Sequence, residues 1–362
     1  MLSLSKIKSE VRELRAYSLS VHCAAVKINQ NENPYDLPQA IKTEVLKRIG
    51  ARAWSRYPEF VPEALLQRLS NFSEWPREGI LVGNGSNELI QALLMVTLGK
   101  GKSVLICEPT FALYRQVSIV LGAKVESVQL NPQLQFDVPA LIQKVREIRP
   151  DVTIICSPNN PTGCVIDDDQ LLELLRESTG LIVVDEAYHE FAGHSAAPLL
   201  SDFTNLVVLR TFSKAMALAG ARVGYLMAAP DLVREICKAV LPYNVNVFSQ
   251  TAAEVALEMY EPELRPLIAT IVNERNRLFS ELRKIPGLTP VASRANFMVV
   301  RSQIDPRQVF EQLLQRDILI RDVSSYPMLR GYFRVSVGTP QENDLLITAL
   351  SEISSSLGGR RA

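Results

Sequence analysis

A lysine at position 214 has the surroundings of a reactive amine. It follows the apolar run NLVVLRTF, hydroxyl side chains stand at Thr211 and Ser213, and Arg222 opens the next apolar run. A lysine in a dry site can lose its proton near neutrality and attack a carbonyl carbon. Hydroxyl groups and an arginine fork are suited to binding phosphate. The segment therefore predicts a ligand with a carbonyl and a phosphate, and two solvated cations in a loop are the alternative.

Polar residues also follow three other apolar runs. Asp185 ends the run LIVVD with Tyr188 close behind, Asn160 lies in the proline-restricted turn SPNNPTG, and Ser86 and Asn87 open a helix after GNG. A helix N-terminus binds anions, and a carboxylate at a buried strand end needs a partner. Taken separately, each could be an ordinary turn or helix cap. Taken with the lysine, they fit the phosphate, aldehyde, ring nitrogen and ring oxygen of pyridoxal 5′-phosphate (PLP).

These residues require a sheet that brings strand ends together. Between residues 80 and 228, short apolar runs such as SVLICEP alternate with helical patterns such as TFALYRQVSIVLGA. Short apolar runs indicate strands buried on both faces, and alternation with helices is typical of parallel sheets. We therefore predict an α/β fold with a mostly parallel sheet covered by helices on both faces. Ligands of such sheets bind beyond the carboxyl ends of the strands.

The pattern divides the chain into three parts. Residues 1–32 predict a helix followed by an extended arm, and residues 33–260 predict a large PLP-binding domain. Residues 261–362 combine a long helix with shorter strands in NFMVVRS, ILIRD and YFRVSVG. We predict a smaller α+β domain there, completed by part of the N-terminal arm.

Composition argues against several classes of protein. Lys+Arg and Asp+Glu both number 39, and this zero net charge disfavours nucleic-acid or acidic-membrane partners. No apolar run has membrane-spanning length. Five cysteines without CxxC spacing favour a reduced, cytoplasmic protein. The three histidines share no metal-ligand spacing, so we predict no metal.

Five motifs carry a family resemblance. They are SKAMALAGARVG (213–224), SPNNPTG, VDEAY, NENPY (31–35) and RYP (56–58). In these motifs and their order, the chain resembles the fold-type I, class II PLP-dependent aminotransferases, and within them the histidinol-phosphate aminotransferases. The resemblance covers nearly the whole chain. It implies the fold-type I PLP-dependent transferase architecture and a homodimer with a shared active site.

The resemblance implies roles for the cofactor-binding residues. Lys214 forms the internal aldimine with PLP and transfers a proton, and Asp185 keeps the ring nitrogen protonated. Tyr114 stacks on the ring, with Phe111 as the competing candidate, and Tyr57 reaches the phosphate held by the neighbouring subunit. Tyr188 joins Lys214 and Asp185 in the catalytic set, and the remaining cofactor-binding positions are Ser86, Asn87, Asn160, Thr211, Ser213 and Arg222.

The resemblance also implies an arginine site for the anionic group of the substrate. Arg334 in YFRVSVG would bind that group with help from Arg321 in ILIRD, and Tyr17 and Asn33 would contact the substrate. The implied reaction transfers the amino group of histidinol phosphate to 2-oxoglutarate in histidine biosynthesis, by a ping-pong cycle. An aromatic amino-acid aminotransferase or a threonine-phosphate decarboxylase of the same fold is the alternative, and a PLP-binding regulator domain is a non-enzymatic one.

Overall fold

Strands and helices alternate through most of the chain in a computed structural model, which describes residues 4–16 and 22–358. The strands are β1 (Val26–Lys27), β2 (Ile80–Gly83), β3 (Ser103–Glu108), β4 (Lys124–Gln129), β5 (Val152–Cys156), β6 (Leu181–Asp185), β7 (Leu206–Thr211), β8 (Gly224–Ala228), β9 (Leu288–Pro290), β10 (Phe297–Ser302), β11 (Ile318–Leu319), β12 (Arg321–Asp322) and β13 (Tyr332–Ser336). The helices are α1 (Ser9–Glu13), α2 (Gln39–Gly50), α3 (Glu63–Ser73), α4 (Ser86–Thr97), α5 (Ala112–Leu121), α6 (Val138–Ile148), α7 (Asp168–Glu177), α8 (His189–Ala192), α9 (Pro230–Cys237), α10 (Val247–Glu258), α11 (Arg265–Leu282), α12 (Pro306–Leu314) and α13 (Pro340–Gly358).

A seven-stranded sheet lies at the centre of the fold, in the order β2-β8-β7-β6-β5-β3-β4. The pairs from β7 to β4 are parallel, whereas β8 is antiparallel to both β7 and β2. The predicted α/β fold with a mostly parallel sheet is therefore confirmed. Parallel strands need crossover connections, and helices such as α5, α6 and α7 supply them.

Both faces of this sheet are covered. Successive side chains of a strand point to opposite faces, and β3 shows this directly. Leu105 and Cys107 belong to one hydrophobic cluster, and Val104 and Ile106 belong to another. The first cluster includes side chains of α2, α3, α6, α7 and α10, and the second includes side chains of α4 and α9. This double burial explains why the strands have continuous apolar sequences.

A second, antiparallel sheet follows in the chain, in the order β12-β13-β10-β9. Helices α11, α12 and α13 share one hydrophobic core with it. The segment ILIRD, which the sequence predicts as one strand, forms two strands. Its first half, β11, pairs in parallel with β1 of the N-terminal arm, and its second half, β12, pairs with β13. The arm is thus joined to this part of the chain, and the domain boundary at residue 260 stays a prediction.

The segment at about 262–285 has a sequence pattern that predicts one long helix. In the structure a π-helical turn, Tyr260–Leu264, is followed by the shorter helix α11, Arg265–Leu282. Pro266 stands in the first turn, where its missing N–H costs no helical hydrogen bond.

None of the helices in residues 4–16 and 22–358 combines the length and apolar character of a membrane span. The same ranges hold no group of three or more His, Cys, Asp or Glu side chains that could bind a metal ion.

Candidate functional site

A cavity of about 440 Å³ lies at the carboxyl ends of β5, β6 and β7. Its wall includes Cys156, Asp185 and Thr211, the last residues of these three strands. The antiparallel sheet contributes Arg321 and Arg334 from β12 and β13. The sequence-predicted residues that line it are Ser86, Asn87, Phe111, Tyr114, Asn160, Asp185, Tyr188, Thr211, Ser213, Lys214, Arg222, Arg321 and Arg334. The structure thus brings most of the predicted site together.

Lys214 lies in the loop that follows β7, and its ammonium group donates a hydrogen bond to the carbonyl oxygen of Gln30 at 3.1 Å. Desolvation by burial, followed by the positive charge of Arg334, lowers the pKa of Lys214 to about 8. The hydroxyl of Thr211 accepts a hydrogen bond from the Ser213 amide at 3.1 Å and so shapes the loop. The neutral, reactive form of this amine is therefore far more abundant near neutral pH than in an ordinary lysine, although the protonated form still predominates at pH 7.

Asp185 is buried at the end of β6, with 3% of its surface exposed. One carboxylate oxygen accepts the hydroxyl of Tyr114 at 2.6 Å, and the other accepts the Ala187 amide at 3.1 Å. Desolvation raises the pKa of Asp185 above its ordinary value, and these two hydrogen bonds act in the opposite direction. The carboxylate is therefore fixed in orientation beside the cavity.

Tyr114 and Phe111 occupy different positions around this carboxylate. Tyr114 is fully buried in α5, and its hydroxyl is bound to Asp185. Phe111 immediately precedes the helix, lines the cavity, and meets the Tyr114 ring edge-on with 5.6 Å between the ring centroids. This geometry gives Tyr114 a contact other than the predicted ring stacking and favours Phe111 for contact with a flat ligand.

An anion cradle is built at the N-terminus of α4. Arg222 has a left-handed backbone (φ 55°), and its guanidinium donates to the Ser213 hydroxyl at 3.0 Å. A Cβ atom on Gly85 would lie 2.5 Å from the Arg222 guanidinium, and a Cβ on Gly224 would lie 2.4 Å from the Ser86 amide nitrogen. Gly224 is required because a side chain there would collide with backbone atoms, and Gly85 is favoured by its positive φ of 79°. The free amides of the helix terminus and the guanidinium together suit a phosphate.

Tyr188 is held by two amides at the cavity wall. Its hydroxyl accepts the side-chain amide of Asn31 at 3.1 Å and that of Asn160 at 3.4 Å. The amide oxygen of Asn160 in turn accepts the Arg334 guanidinium at 2.6 Å. The predicted ring-oxygen ligands are therefore linked to the predicted substrate arginine.

Arg321 and Arg334 stand directly opposite each other on the antiparallel strands β12 and β13. Like charges at such a position destabilise a sheet. Arg334 also donates to the carbonyl oxygen of Asn29 at 2.8 Å. Both arginines line the cavity, so an anionic ligand would offset their repulsion.

Two of the predicted residues that the structure describes do not line the cavity. Asn33 donates its side-chain amide to the carbonyl of Ala215 at 3.0 Å and supports the lysine loop from a neighbouring groove. Tyr57 is 80% exposed and stacks on Tyr243 with 4.6 Å between centroids. Tyr17 lies outside the described residues.

The N-terminal arm supplies residues to which the sequence motifs assigned no role in the site. Asn29, Gln30 and Asn31, the last of which opens the motif NENPY, all line the cavity, and Asn31 has a left-handed backbone (φ 56°). In the sequence these residues belong to the polar segment NQNEN after β1. This segment has no helical or strand periodicity from which its position could be predicted. Tyr326, in the loop before β13, also lines the cavity.

Comparison with known proteins is consistent with this geometry. The family model described as aminotransferase class I and II matches residues 24–350. A histidinol-phosphate aminotransferase of Chlorobium phaeovibrioides is 38% identical over 96% of this chain and 97% of its own length. Histidinol-phosphate aminotransferase 1 of Carboxydothermus hydrogenoformans is 39% identical, over 96% of this chain and 98% of its own.

Solved structures show the same fold. The histidinol-phosphate aminotransferase of Sinorhizobium meliloti, in complex with pyridoxal-5′-phosphate, superimposes with a TM-score of 0.87 at 24% identity, covering 98% of both chains. The enzyme of the same name from Clostridium acetobutylicum gives a TM-score of 0.85 at 25% identity, over 91% of this chain and 99% of that one.

Proposed function

Because the chain belongs to the family of class I and II aminotransferases, we propose that it is a PLP-dependent enzyme that transfers the amino group of histidinol phosphate to 2-oxoglutarate. The observation that carries the proposal is one cavity containing an amine, a buried carboxylate, an anion cradle and two arginines. Two relatives named histidinol-phosphate aminotransferase, each matching 96% of this chain, support the choice of amino donor.

The cavity residues fit PLP. The cradle at Gly85 is too narrow for a side chain and holds a guanidinium against amide groups, which matches a phosphate. Lys214 offers an amine for the aldehyde, and Asp185 offers a carboxylate for a protonated ring nitrogen. The groups that would hold the cofactor are Ser86, Asn87, Ser213 and Arg222 at the phosphate, Asp185 at the ring nitrogen, and Asn160 and Tyr188 at the ring oxygen.

Each of these side chains has a definable task. When bound, PLP supplies a carbonyl carbon that exchanges amino groups and a protonated ring that withdraws electrons from the substrate carbon. Lys214, with a pKa of about 8, can take the proton from that carbon and return it. The buried Asp185 carboxylate favours positive charge on the ring nitrogen. Tyr188 and Asn160 orient the ring oxygen through their mutual hydrogen bond.

Arg321 and Arg334 would bind the anionic end of each substrate in turn. Histidinol phosphate has a phosphate and no carboxylate, whereas 2-oxoglutarate has two carboxylates. An arginine fork forms two parallel hydrogen bonds with either group. A single pair of arginines can therefore accept both the donor and the acceptor of a ping-pong cycle.

A substrate panel tests the assignment. The PLP-loaded protein is mixed with histidinol phosphate, histidinol, phenylalanine, aspartate and threonine phosphate, and the cofactor spectrum is followed from its aldehyde to its amine form. We expect conversion at the lowest concentration with histidinol phosphate. Equal conversion by phenylalanine would instead indicate an aromatic aminotransferase, and release of carbon dioxide from threonine phosphate would indicate the decarboxylase.

Arg321→Ala should lower kcat/KM for histidinol phosphate by about 100-fold, because a charge-assisted, bidentate contact is lost. Arg321 isolates the anion contact better than Arg334, which also holds Asn160 and Asn29. Steady-state kinetics with histidinol phosphate and with histidinol measure the effect. The ratio of the two kcat/KM values should approach one.

Arg301→Ala serves as the control for that prediction, since Arg301 is exposed on β10, which lies in the same sheet but is separated from β12 by β13. Its kinetics should match those of the wild type. An Arg321→Ala enzyme that still prefers the phosphorylated donor as strongly as the wild type would contradict the anion site.

Uptake of the cofactor should depend on pH through Lys214. Its pKa of about 8 means that the reactive amine is diluted about tenfold for each pH unit below 8. Cofactor-free protein is mixed with PLP between pH 6 and 9.5, at PLP concentrations that saturate its non-covalent binding. The rate of covalent uptake should rise with pH and level off above about pH 8. The lowered pKa also means that this group makes unfolding less favourable as pH rises from about 8 toward the ordinary lysine value. A rate of PLP uptake that does not change with pH down to 6 would contradict a lowered pKa for the Lys214 amine.

We further propose that the active enzyme is a homodimer. Five exposed aromatic side chains, here called the aromatic patch, form two contacting groups on the surface: Trp54, Tyr57, Phe60, Tyr243 and Phe248. Trp54 meets Phe248 edge-on with 5.1 Å between the ring centroids, whereas Tyr243 stacks on Tyr57 at 4.6 Å and meets Phe60 edge-on at 5.6 Å. Exposed apolar patches of this kind are typical of protein interfaces. A second copy covering the patch would carry Tyr57 toward the neighbouring anion cradle.

A mixed dimer tests whether the site is shared. Tyr57→Phe should weaken PLP binding about tenfold through loss of one hydrogen bond to a charged group. In a hybrid of this variant with Lys214→Ala, the site with the intact lysine would receive Tyr57 of the partner subunit. Its PLP affinity, measured by fluorescence titration, should return to the wild-type value. Affinity that stays weak in the hybrid would show that Tyr57 acts within its own subunit, and an unchanged affinity of the Tyr57→Phe homodimer would show that it does not contact the phosphate.

We also propose a cytoplasmic location. All five cysteines are free thiols, and three of them, Cys107, Cys156 and Cys164, are buried. Free thiols of this kind are typical of proteins in reducing compartments.

A further inference from the structure

We propose that Tyr114 is a positioning residue that acts through Asp185: its hydroxyl bond holds the carboxylate in its ionised form, so that the proton of the acid–ring pair resides on the ring nitrogen of PLP. The inference rests on the proposed function. It differs from the role predicted from the sequence, in which Tyr114 stacks on the ring.

The geometry of this contact is well defined. The Tyr114 hydroxyl lies 2.6 Å from one oxygen of Asp185, and the Ala187 amide lies 3.1 Å from the other. Tyr114 has no exposed surface, and its position in the first turn of α5 is supported by the Ser118 hydroxyl, which donates to the Tyr114 carbonyl at 2.7 Å. Each carboxylate oxygen therefore has one protein donor, and the lone pairs that remain are available to the ligand.

The direction of the effect follows from the surroundings of Asp185. Burial raises its pKa, and the negative charge of Glu186 adds to this, so without compensation the acid would tend to hold a proton itself. The Tyr114 hydroxyl and the Ala187 amide lower the pKa again, because they bind the ionised form. Cys156 and Tyr188 are the other titratable groups that interact with Asp185.

Tyr114 remains a donor throughout the working pH range. Burial and the neighbouring carboxylate raise the pKa of its hydroxyl well above the ordinary value. The shared proton therefore has two positions, on the acid or on the ring nitrogen, and the hydroxyl favours the second. Since a hydrogen bond to a charged group is comparatively strong, its loss should change the ratio of the two positions by roughly 10- to 100-fold.

The test uses Tyr114→Phe, which removes one oxygen atom and keeps the ring. The holoenzyme is loaded with PLP labelled with ¹⁵N in the ring, and the ring nitrogen shift is measured at neutral pH. We expect a protonated nitrogen in the wild type and a shift toward the neutral form in the variant. We expect kcat to fall about tenfold or more while KM for the amino donor changes less than about twofold, since Tyr114 acts on the cofactor side.

Two controls separate this role from simple packing. Tyr225→Phe removes another buried hydroxyl, which is bonded to Arg210 at 3.4 Å, and it should leave the nitrogen shift unchanged. In an Asp185→Asn background, Tyr114→Phe should cost less than about twofold in kcat, because residues that act through one another are not additive. Should Tyr114→Phe fail to fold, 3-fluorotyrosine at position 114 keeps the shape with a stronger donor, and the nitrogen should stay protonated.

An unchanged nitrogen shift in Tyr114→Phe, or a shift toward the neutral form with 3-fluorotyrosine, would overturn the inference. Both results are distinguishable from failure of the proposed function. If the proposed function were wrong, the wild-type protein itself would bind no PLP or would transfer no amino group from any member of the substrate panel.

Discussion

Replacing Lys214 with alanine is expected to abolish the near-visible absorption of the PLP-loaded protein and to lower kcat by about 10⁴-fold or more. Among the described residues, Lys214 is the one lysine that lines the cavity. Its loss removes both the amine that holds the cofactor and the group that moves the substrate proton. Absorption spectra and single-turnover kinetics with histidinol phosphate measure the two losses separately.

Lys238→Ala is the matched control, since Lys238 is exposed and pairs with Glu235 on the surface. It should keep both absorption and turnover. A small primary amine added to the Lys214→Ala enzyme should restore part of the proton transfer, because it can occupy the space left by the side chain. Retention of the absorption band and of turnover in Lys214→Ala would place the reactive amine elsewhere in the chain.

The residues at strand ends could be predicted from sequence because, in a parallel sheet, the residues that follow the carboxyl ends of adjacent strands lie at the same edge. Asp185 ends β6 and Thr211 ends β7, and these adjacent strands point the same way, so their ends meet at one edge. Each strand was visible as a short apolar run ending in a polar residue. The core of the site therefore followed from local patterns and one rule of topology.

Contacts between distant segments could not be predicted in this way. Asn31 reaches Tyr188 across 157 positions of sequence, and the arm that carries it has no periodicity that fixes its course. The pairing of Arg321 with Arg334 depends on the register of two short strands, and ILIRD looked like a single strand because Ile320 continues its apolar pattern.

The different positions of Phe111 and Tyr114 depend on where α5 begins. Both aromatic residues stand in PTFALY, and a helix that begins at Ala112 leaves Phe111 in extended backbone at the cavity while turning Tyr114 into the core. Helix boundaries are the least certain element of a sequence pattern.

Asp185→Asn is expected to lower kcat by about 10²- to 10³-fold while leaving the cofactor attached, which separates electronic activation from binding. The amide has the shape of the carboxylate but no negative charge, so it cannot favour a positive ring nitrogen. Lys214 lies in the loop after β7, the strand next to β6, and its contacts, such as the one to Gln30, do not involve Asp185. The near-visible absorption should therefore persist in an enzyme that hardly turns over.

Asp169→Asn, at an exposed position in the first turn of α7, controls for the loss of a carboxylate in general and should behave as the wild type. A PLP analogue whose ring nitrogen carries a permanent positive charge by methylation should raise the activity of Asp185→Asn, because the charge no longer depends on the acid. If Asp185→Asn instead retains wild-type kcat with unmodified PLP, the buried carboxylate has a structural role only. In that event the electron-withdrawing power of the ring must come from the groups around its oxygen, Tyr188 and Asn160, rather than from its nitrogen.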